Sequence, residues 1–317
     1  MLRECLLAVA RLDPPPLEVI VAIDGQSPGI REVSGVLGFH PVEVAGAPGV
    51  SATRNAGTAS ASGRWVAFLD SDVVVTPDHV TRSLAALGTQ PQAVAAFGSY
   101  DDRPAALGLI SRYRNLLHHF THQHASREAE TFWAACGICN AEVFRQVGGF
   151  DETYRKPCIE DIAFGYKLRR AGHRIALDPS WQVKHLKKWT WRDLVFTDIG
   201  RRAIPWTLLL RREGRLDNDL NIDTRSRTSA LMVLTIIVSI TAGLFFPWAL
   251  ALAGICISAL IYLNRSFYSF LARKEGAAFA IAAIPLHFFY FLAASFGYAA
   301  GLCLHRWHNL RSSSVGQ

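Results

Sequence analysis

Along the first 186 residues, short apolar runs alternate with stretches whose apolar positions recur three and four residues apart. Residues 1–12 have the second pattern and predict an amphipathic helix, ended by Pro14, Pro15 and Pro16 because proline lacks the amide a helix needs. Leu17 to Ile23 is an apolar run leading into Asp24 and Gly25, a strand followed by a turn, and Val42 to Val44 is a second short strand. Residues 49–62 read as a small-residue helix with a capping serine or threonine. Trp65 to Leu69, between Gly63 and Asp70, predicts a buried strand. Pro77 to Leu87 opens on proline and spaces Val80, Leu84 and Leu87 as a surface helix does. Val94 to Phe97 is another strand.

Residues 104–124 predict a longer helix with Leu109, Tyr113, Leu116, Leu117 and Phe120 on one side. Its histidines, His118, His119, His122 and His124, have no carboxylate or cysteine at ligand spacing and read as a solvated, partly basic face. Cys158 to Gly172 is a helix with acids in its first turn, bases in its last and a terminal glycine, the order the helix dipole favours. His173 to Leu177 and Trp181 to His185 read as two strands separated by a turn at Asp178 and Pro179. The alternation predicts an α/β domain over residues 1–186, with a mixed, mainly parallel sheet covered by helices.

The pattern then changes. Over residues 187–227, Trp189, Trp191, Phe196 and Trp206 interleave with Lys187, Lys188, Arg192, Arg201, Arg202, Arg211 and Arg212, as in helices lying in a lipid headgroup layer. A groove for single-stranded nucleic acid is the alternative, and the apolar segments that follow favour the bilayer. Thr228 to Asn264 carries no charge and would make a helix of roughly 55 Å, nearly twice the hydrocarbon core. It therefore predicts two spans, about 229–246 and 247–264. Arg265, Arg273 and Lys274 form a short basic loop, and Gly276 to His305 a third span, long or tilted. Residues 306–317 are a tail.

Charge follows the same division. Residues 1–183 hold 17 basic and 19 acidic side chains, residues 184–228 hold 11 and 6, and residues 229–317 hold 5 and 1, giving +7 overall. A basic band ahead of apolar segments points to a membrane surface, with the N-terminal domain on the cytoplasmic side of a multi-pass inner-membrane protein. No zinc-finger spacing or RNA-binding motif argues for a nucleic-acid partner. The six cysteines are scattered, without a disulfide framework, and Cys136 with Cys139 is a lone pair, read as two small buried residues in a turn. Oligomeric state is left open.

Two places carry candidate chemistry. The strand Trp65–Leu69 ends in Asp70 and Asp72, at the sheet edge where open α/β folds bind ligands. Paired carboxylates there suit Mg²⁺ or Mn²⁺, which complete their shells with phosphate oxygens, and an acidic turn is the plain alternative. Glu160 and Asp161 open a helix after the loop Gly148–Glu152, and a carboxylate so placed can serve as a general base.

The order of these pieces resembles family 2 glycosyltransferases of the GT-A fold. The resemblance rests on Asp24 and Gly25; on Gly49 to Gly57, with Arg54 and Asn55; on Ala61 to Asp72; on Gly137 to Asn140; on Gly148 to Glu152; on Glu160, Asp161, Lys167, Leu168 and Gly172; and on Val183 and His185. It covers roughly residues 1–190, and the C-terminal segments resemble those of membrane-anchored members. It implies that Asp24 contacts the nucleobase and that Arg54 and Asn55 lie near the donor. Asp70 and Asp72 would hold a nucleotide sugar through the metal, Asp161 would be the general base with Glu160 beside it, and His185 a further metal or diphosphate ligand. The acceptor would be a hydroxyl of a lipid-linked or cell-envelope glycan, and a single displacement implies inversion. A polyprenyl-phosphate acceptor and a non-catalytic nucleotide-sugar-binding module are the alternatives.

Three features depart from the family pattern. The strand that usually opens the domain does not precede the first helix; either the start of the sequence is set too late, or the sheet lacks a strand and donor affinity is impaired. Lys167 stands where arginine is frequent, keeping the charge and losing the bidentate fork. No motif of the processive synthases follows His185, which argues against polymer synthesis.

Overall fold

The computed structural model describes residues 1–46, 49–214 and 219–314, which divide into two compact units. The first comprises residues 1–106 and 121–188, the second residues 107–120 and 189–317. The domain drawn from the sequence at 1–186 thus differs at residues 107–120. Arg215, in the basic band, and the last three residues of the tail lie outside the described residues.

The elements of the first unit follow the predicted alternation. They are α1 (Leu2–Val9), β1 (Ile20–Asp24), α2 (Pro28–Val36), β2 (His40–Val44), α3 (Val50–Ala59), β3 (Trp65–Leu69), β4 (Val73–Val74), α4 (His79–Leu87) and β5 (Ala93–Tyr100). After α5 (Leu109–His124) come β6 (Glu128–Ala129), β7 (Cys136–Asn140), α6 (Ala141–Gln146), α7 (Glu160–Arg170) and β8 (Arg174–His185). Six strands form a mixed sheet in the order β3-β7-β5-β8-β4, with β6 against β8. β5 and β8 run parallel, and β7 lies antiparallel between β3 and β5. β1 and β2 form a separate parallel pair. Among the described residues β3 pairs with β7 alone, and its Ala67 is exposed.

A phenylalanine core fixes this sheet. Phe68, Phe97, Phe132, Phe144, Phe150 and Phe164 are all buried, and Phe150 lies 4.9 Å from Phe164 and 5.3 Å from Phe68 between ring centroids. Each buried ring contributes about 1.5–3 kcal/mol relative to exposure. Phe150 therefore pulls the loop before α7 inward against β3.

Several local expectations are corrected. Cys136 and Cys139 lie buried in a strand, where Gly137 lets the Phe132 ring approach to within 2.4 Å of the position a Cβ would take. Burial pushes both thiols up, Cys139 to about 12, so neither is a reactive thiolate. β8 is one strand through Asp178 and Pro179, because a register shift against β5 absorbs the irregularity. The helix α3 is preceded by Gly49 and not by a capping serine or threonine. Among the histidines of α5, His122 is buried with Nδ1 2.9 Å from the Gly98 carbonyl, and His119 is buried against Phe270, so that face is not solvated.

In the second unit a capping box of Thr190 and Asp193 starts α8 (Trp191–Val195). It continues through a π-helical stretch, Phe196–Ala203, into α9 (Ile204–Glu213), which stops at left-handed Gly214. After a 3₁₀ turn (Leu220–Ile222) come α10 (Thr224–Ala242), α11 (Trp248–Leu263), α12 (Arg265–Glu275) and α13 (Ala277–Ser314). The expected basic loop at Arg265 is thus a helix, held by buried Phe267 and Leu271. Among the described residues one helix, Ala277–Trp307, is long and apolar enough to cross a membrane. α11 and α12 pass the same test only together, bent by 61°. The glycines of α13 permit close packing, a Cβ at Gly297 falling 2.3 Å from Ala203 Cβ.

Candidate active site

β3 ends at Leu69, and the turn that follows carries Asp70 and Asp72 into β4, whose Val73 pairs with His185 of β8. This pairing brings the end of β8 back to the acidic turn, and the Leu186 amide donates to the Asp72 carbonyl at 2.8 Å. His185 Nε2 lies 3.5 Å from Asp72 Oδ2. The imidazole stacks on Tyr100, the last residue of β5, at 4.2 Å and 10° between planes. Burial works against the Asp72 charge, but His185 and Lys187 outweigh it and hold the carboxyl below its ordinary range.

Asp70 turns the other way. Arg54, one turn into α3, donates Nη2 to Asp70 Oδ1 at 2.6 Å and Nη1 to Glu160 Oε1 at 2.7 Å. Burial disfavours the Arg54 cation, yet Asp70 and Glu160 more than compensate and its pKa is raised. Glu160 is buried, and its Oε2 accepts from the Cys158 amide at 2.7 Å.

Asp161, the next residue, has different partners. Its Oδ2 accepts from the Ala134 amide at 3.3 Å and its Oδ1 from the Ile162 amide at 2.8 Å. Burial and then the Glu160 charge raise its pKa to about 7, against the opposing pull of Arg54 and the two amides. Tyr100 ties the acids together: burial, then the negative charges of Asp70, Asp72 and Asp161, push its hydroxyl well above the ordinary value. The ring that feels all three charges is the one on which His185 stacks.

The remaining expected residues are tied to loops. Asp24, at the end of β1, accepts the Gly49 amide at 3.0 Å. Gly49 has φ +102°, and a Cβ there would fall 2.1 Å from the Arg155 carbonyl, so only glycine fits. Asn55, expected among the donor contacts, is turned to the loop before α7: Oδ1 accepts from the Phe150 amide, and Nδ2 donates to the Phe150 carbonyl and to Glu152 Oε1, each at 2.9 Å. Lys167 Nζ donates to the Gly149 carbonyl at 2.8 Å, supporting the same loop. A surface depression of about 340 Å³ lined by Ala52, Glu152, Thr153 and Arg155 touches none of Asp70, Asp72, Asp161 and His185. Tyr100 escaped the sequence reading because a tyrosine ending an apolar strand has no distinguishing pattern; its proximity to Asp72 arises from β5–β8 pairing.

Among the described residues no three histidine, cysteine, aspartate or glutamate side chains converge on a point where a metal could sit. Of the three expected ligands, Asp72 and His185 come together, and Asp70 is engaged by Arg54. Two protein donors, one a charged carboxylate, nevertheless fit Mg²⁺ or Mn²⁺, which take one or two carboxylates and draw further ligands from substrate phosphates.

Residues 1–148 match the model of the family described as glycosyl transferase family 2. This segment, just under half of the chain, is similar to that family. Two curated relatives from Mycobacterium tuberculosis, strains CDC 1551 / Oshkosh and ATCC 25618 / H37Rv, are each named pre-mycofactocin glycosyltransferase. Each is 30% identical over 197 residues, which cover 56% of this chain. The match spans only 39% of the length of those relatives. A solved structure, the mannosyltransferase PcManGT from Pyrobaculum calidifontis in complex with GDP-Man and Mn²⁺, superposes with a TM-score of 0.58 at 17% identity. It covers 94% of this chain and 83% of that one, a likeness of fold alone. The fold is the mixed α/β GT-A type.

Proposed function

We propose that the chain is an inverting glycosyltransferase that moves a sugar from a nucleotide-sugar donor to a hydroxyl of a lipid-linked or cell-envelope acceptor. The observation that carries this reading is Arg54, whose guanidinium joins Asp70 after β3 to Glu160 beside Asp161, with His185 3.5 Å from Asp72. Asp161 takes the acceptor proton: a half-buried carboxyl raised to about 7 is well matched to general-base work near neutral pH. An acceptor phosphate is already ionised and needs no such base, which favours a hydroxyl over a polyprenyl phosphate. Asp24 and the Gly49 turn lie on the donor side, as the family resemblance implies.

Asp72 and His185 would hold a divalent ion, Mg²⁺ or Mn²⁺. When bound, the ion neutralises charge developing on the departing diphosphate. The complex of PcManGT with GDP-Man and Mn²⁺ supports that choice of donor and metal. The chain's own contribution is to keep Asp72 ionised and to fix the His185 ring against Tyr100.

The second unit is proposed as a bilayer anchor with the transferase on the cytoplasmic side. α10, α11 and α13 leave Leu231, Val238, Trp248, Ile255, Ile281 and Phe296 exposed, large apolar surface that a lipid phase would cover. Trp191 and Phe196, among arginines, suit the headgroup level. The test uses the full chain in vesicles, screened against sugar nucleotides for thermal stabilisation and nucleoside diphosphate release with and without Mn²⁺. Metal-dependent release from one donor supports the reading. Stabilisation without release from any donor, with acceptor lipid extracts present, supports a binding module in its place.

A further inference from the structure

Arg54 is one planar cation between two carboxylates that the chain supplies from distant places. Asp70 closes β3 and Glu160 opens α7, yet Arg54 reaches both at 2.6 and 2.7 Å while standing over the Phe150 ring at 5.5 Å. Glu160 is only 4% exposed, and a buried carboxylate stays charged only beside a cation and amide donors. Arg54 supplies the cation and Cys158 the amide, so both Glu160 oxygens already carry a donor. Asp161 shares neither partner and keeps its own two amides. A lysine in place of Arg54 would present a point charge to one carboxylate, where the guanidinium fork spans both.

We propose that Arg54 and Glu160 are positioning residues that fix the first turn of α7, and with it Asp161, relative to the acidic turn after β3, and that Glu160 takes no proton from the acceptor. The inference rests on the transferase reading above, which gives Asp161 its task. Losing Arg54 leaves the Glu160 charge buried without its cation, losing Glu160 leaves Arg54 tied to Asp70 alone, and either loss frees α7 from the acidic turn. The effect falls on turnover more than on donor capture, because alignment of reacting groups is what is lost.

The test compares wild type, Arg54→Met, Glu160→Gln and the double variant, all as full chains in vesicles. Each single change is expected to lower kcat about 10–100-fold with donor KM within about threefold. The double variant is expected to fall no more than about threefold below Arg54→Met, since coupled residues act as one unit. Amide exchange is followed in the same four proteins without donor. Arg54→Met is expected to speed exchange in residues 70–74 and 158–162 together, leaving β5 unchanged. Losses that multiply in the double variant, or exchange unchanged in either segment, overturn the proposal. Should wild type turn over no donor while both segments loosen together, the transferase reading fails and the Arg54 linkage stands. If Arg54→Met does not fold, Arg54→Lys carries the same comparisons.

Discussion

The Ala134 amide donates to Asp161 Oδ2 at 3.3 Å, so the second residue of α7 is anchored to the segment leading into β7. Asp161 therefore has a fixed position even though it begins a helix, where side chains commonly swing in solvent. Burial around it raises its pKa first, and the neighbouring Glu160 charge raises it further.

A base works only when deprotonated, so kcat/KM is expected to rise with pH through a limb near the raised value of Asp161 and then level off. Glu160→Gln removes a negative neighbour and is expected to move this limb to lower pH; Arg54→Met removes the opposing cation and is expected to move it higher. Rate profiles from about pH 5 to about pH 9 check both signs. A limb that ignores both changes means that another group is titrating.

Chelation is expected to remove activity and added Mn²⁺ to restore it, with Asp72 and His185 as the protein ligands. His185→Ala should raise the Mn²⁺ concentration for half-activity by about tenfold or more. Tyr100→Ala should do the same to a lesser degree, since it frees the ring that Tyr100 stacks at 4.2 Å. Metal titrations of initial rate measure both.

Asn55→Ala removes three hydrogen bonds that hold Phe150 and Glu152 and is expected to cost about 1–3 kcal/mol of stability. Urea unfolding reads the loss. Donor KM should stay within about threefold in the folded fraction, because both amide hydrogens are already committed to the loop. A stable Asn55→Ala protein with weak donor binding would give Asn55 the direct role implied by resemblance.

Gly49→Ala forces a side chain into φ +102° and against the Arg155 carbonyl, so the turn must shift at a cost of about 1–3 kcal/mol or more. The Gly49 amide then leaves Asp24, and donor affinity is expected to fall along with the melting temperature.

Much of the first unit was legible because its signals are local. Trp65–Leu69 is bounded by a glycine and an aspartate, and α7 carries its acids and bases in dipole order. The strand Cys136–Asn140 was not, since two cysteines and a glycine resemble a turn until β3 and β5 close on either side. α2 was missed because Gly29 and Gly35 weaken its helical pattern. The site was legible as acids and illegible as partnerships. Nothing near Asn55 announces Phe150, 95 positions away, and nothing near Asp70 announces that Arg54 will claim it. Such pairings follow from Phe150 entering the aromatic core, a tertiary event with no periodicity to read.

The most direct test of the account is turnover of a sugar nucleotide by the full chain in vesicles, wild type against Asp161→Asn, with donor affinity measured on both. The account predicts donor affinity within about threefold and turnover lowered by about 10²–10⁴-fold. Turnover unchanged in Asp161→Asn, with the protein folded, would contradict it.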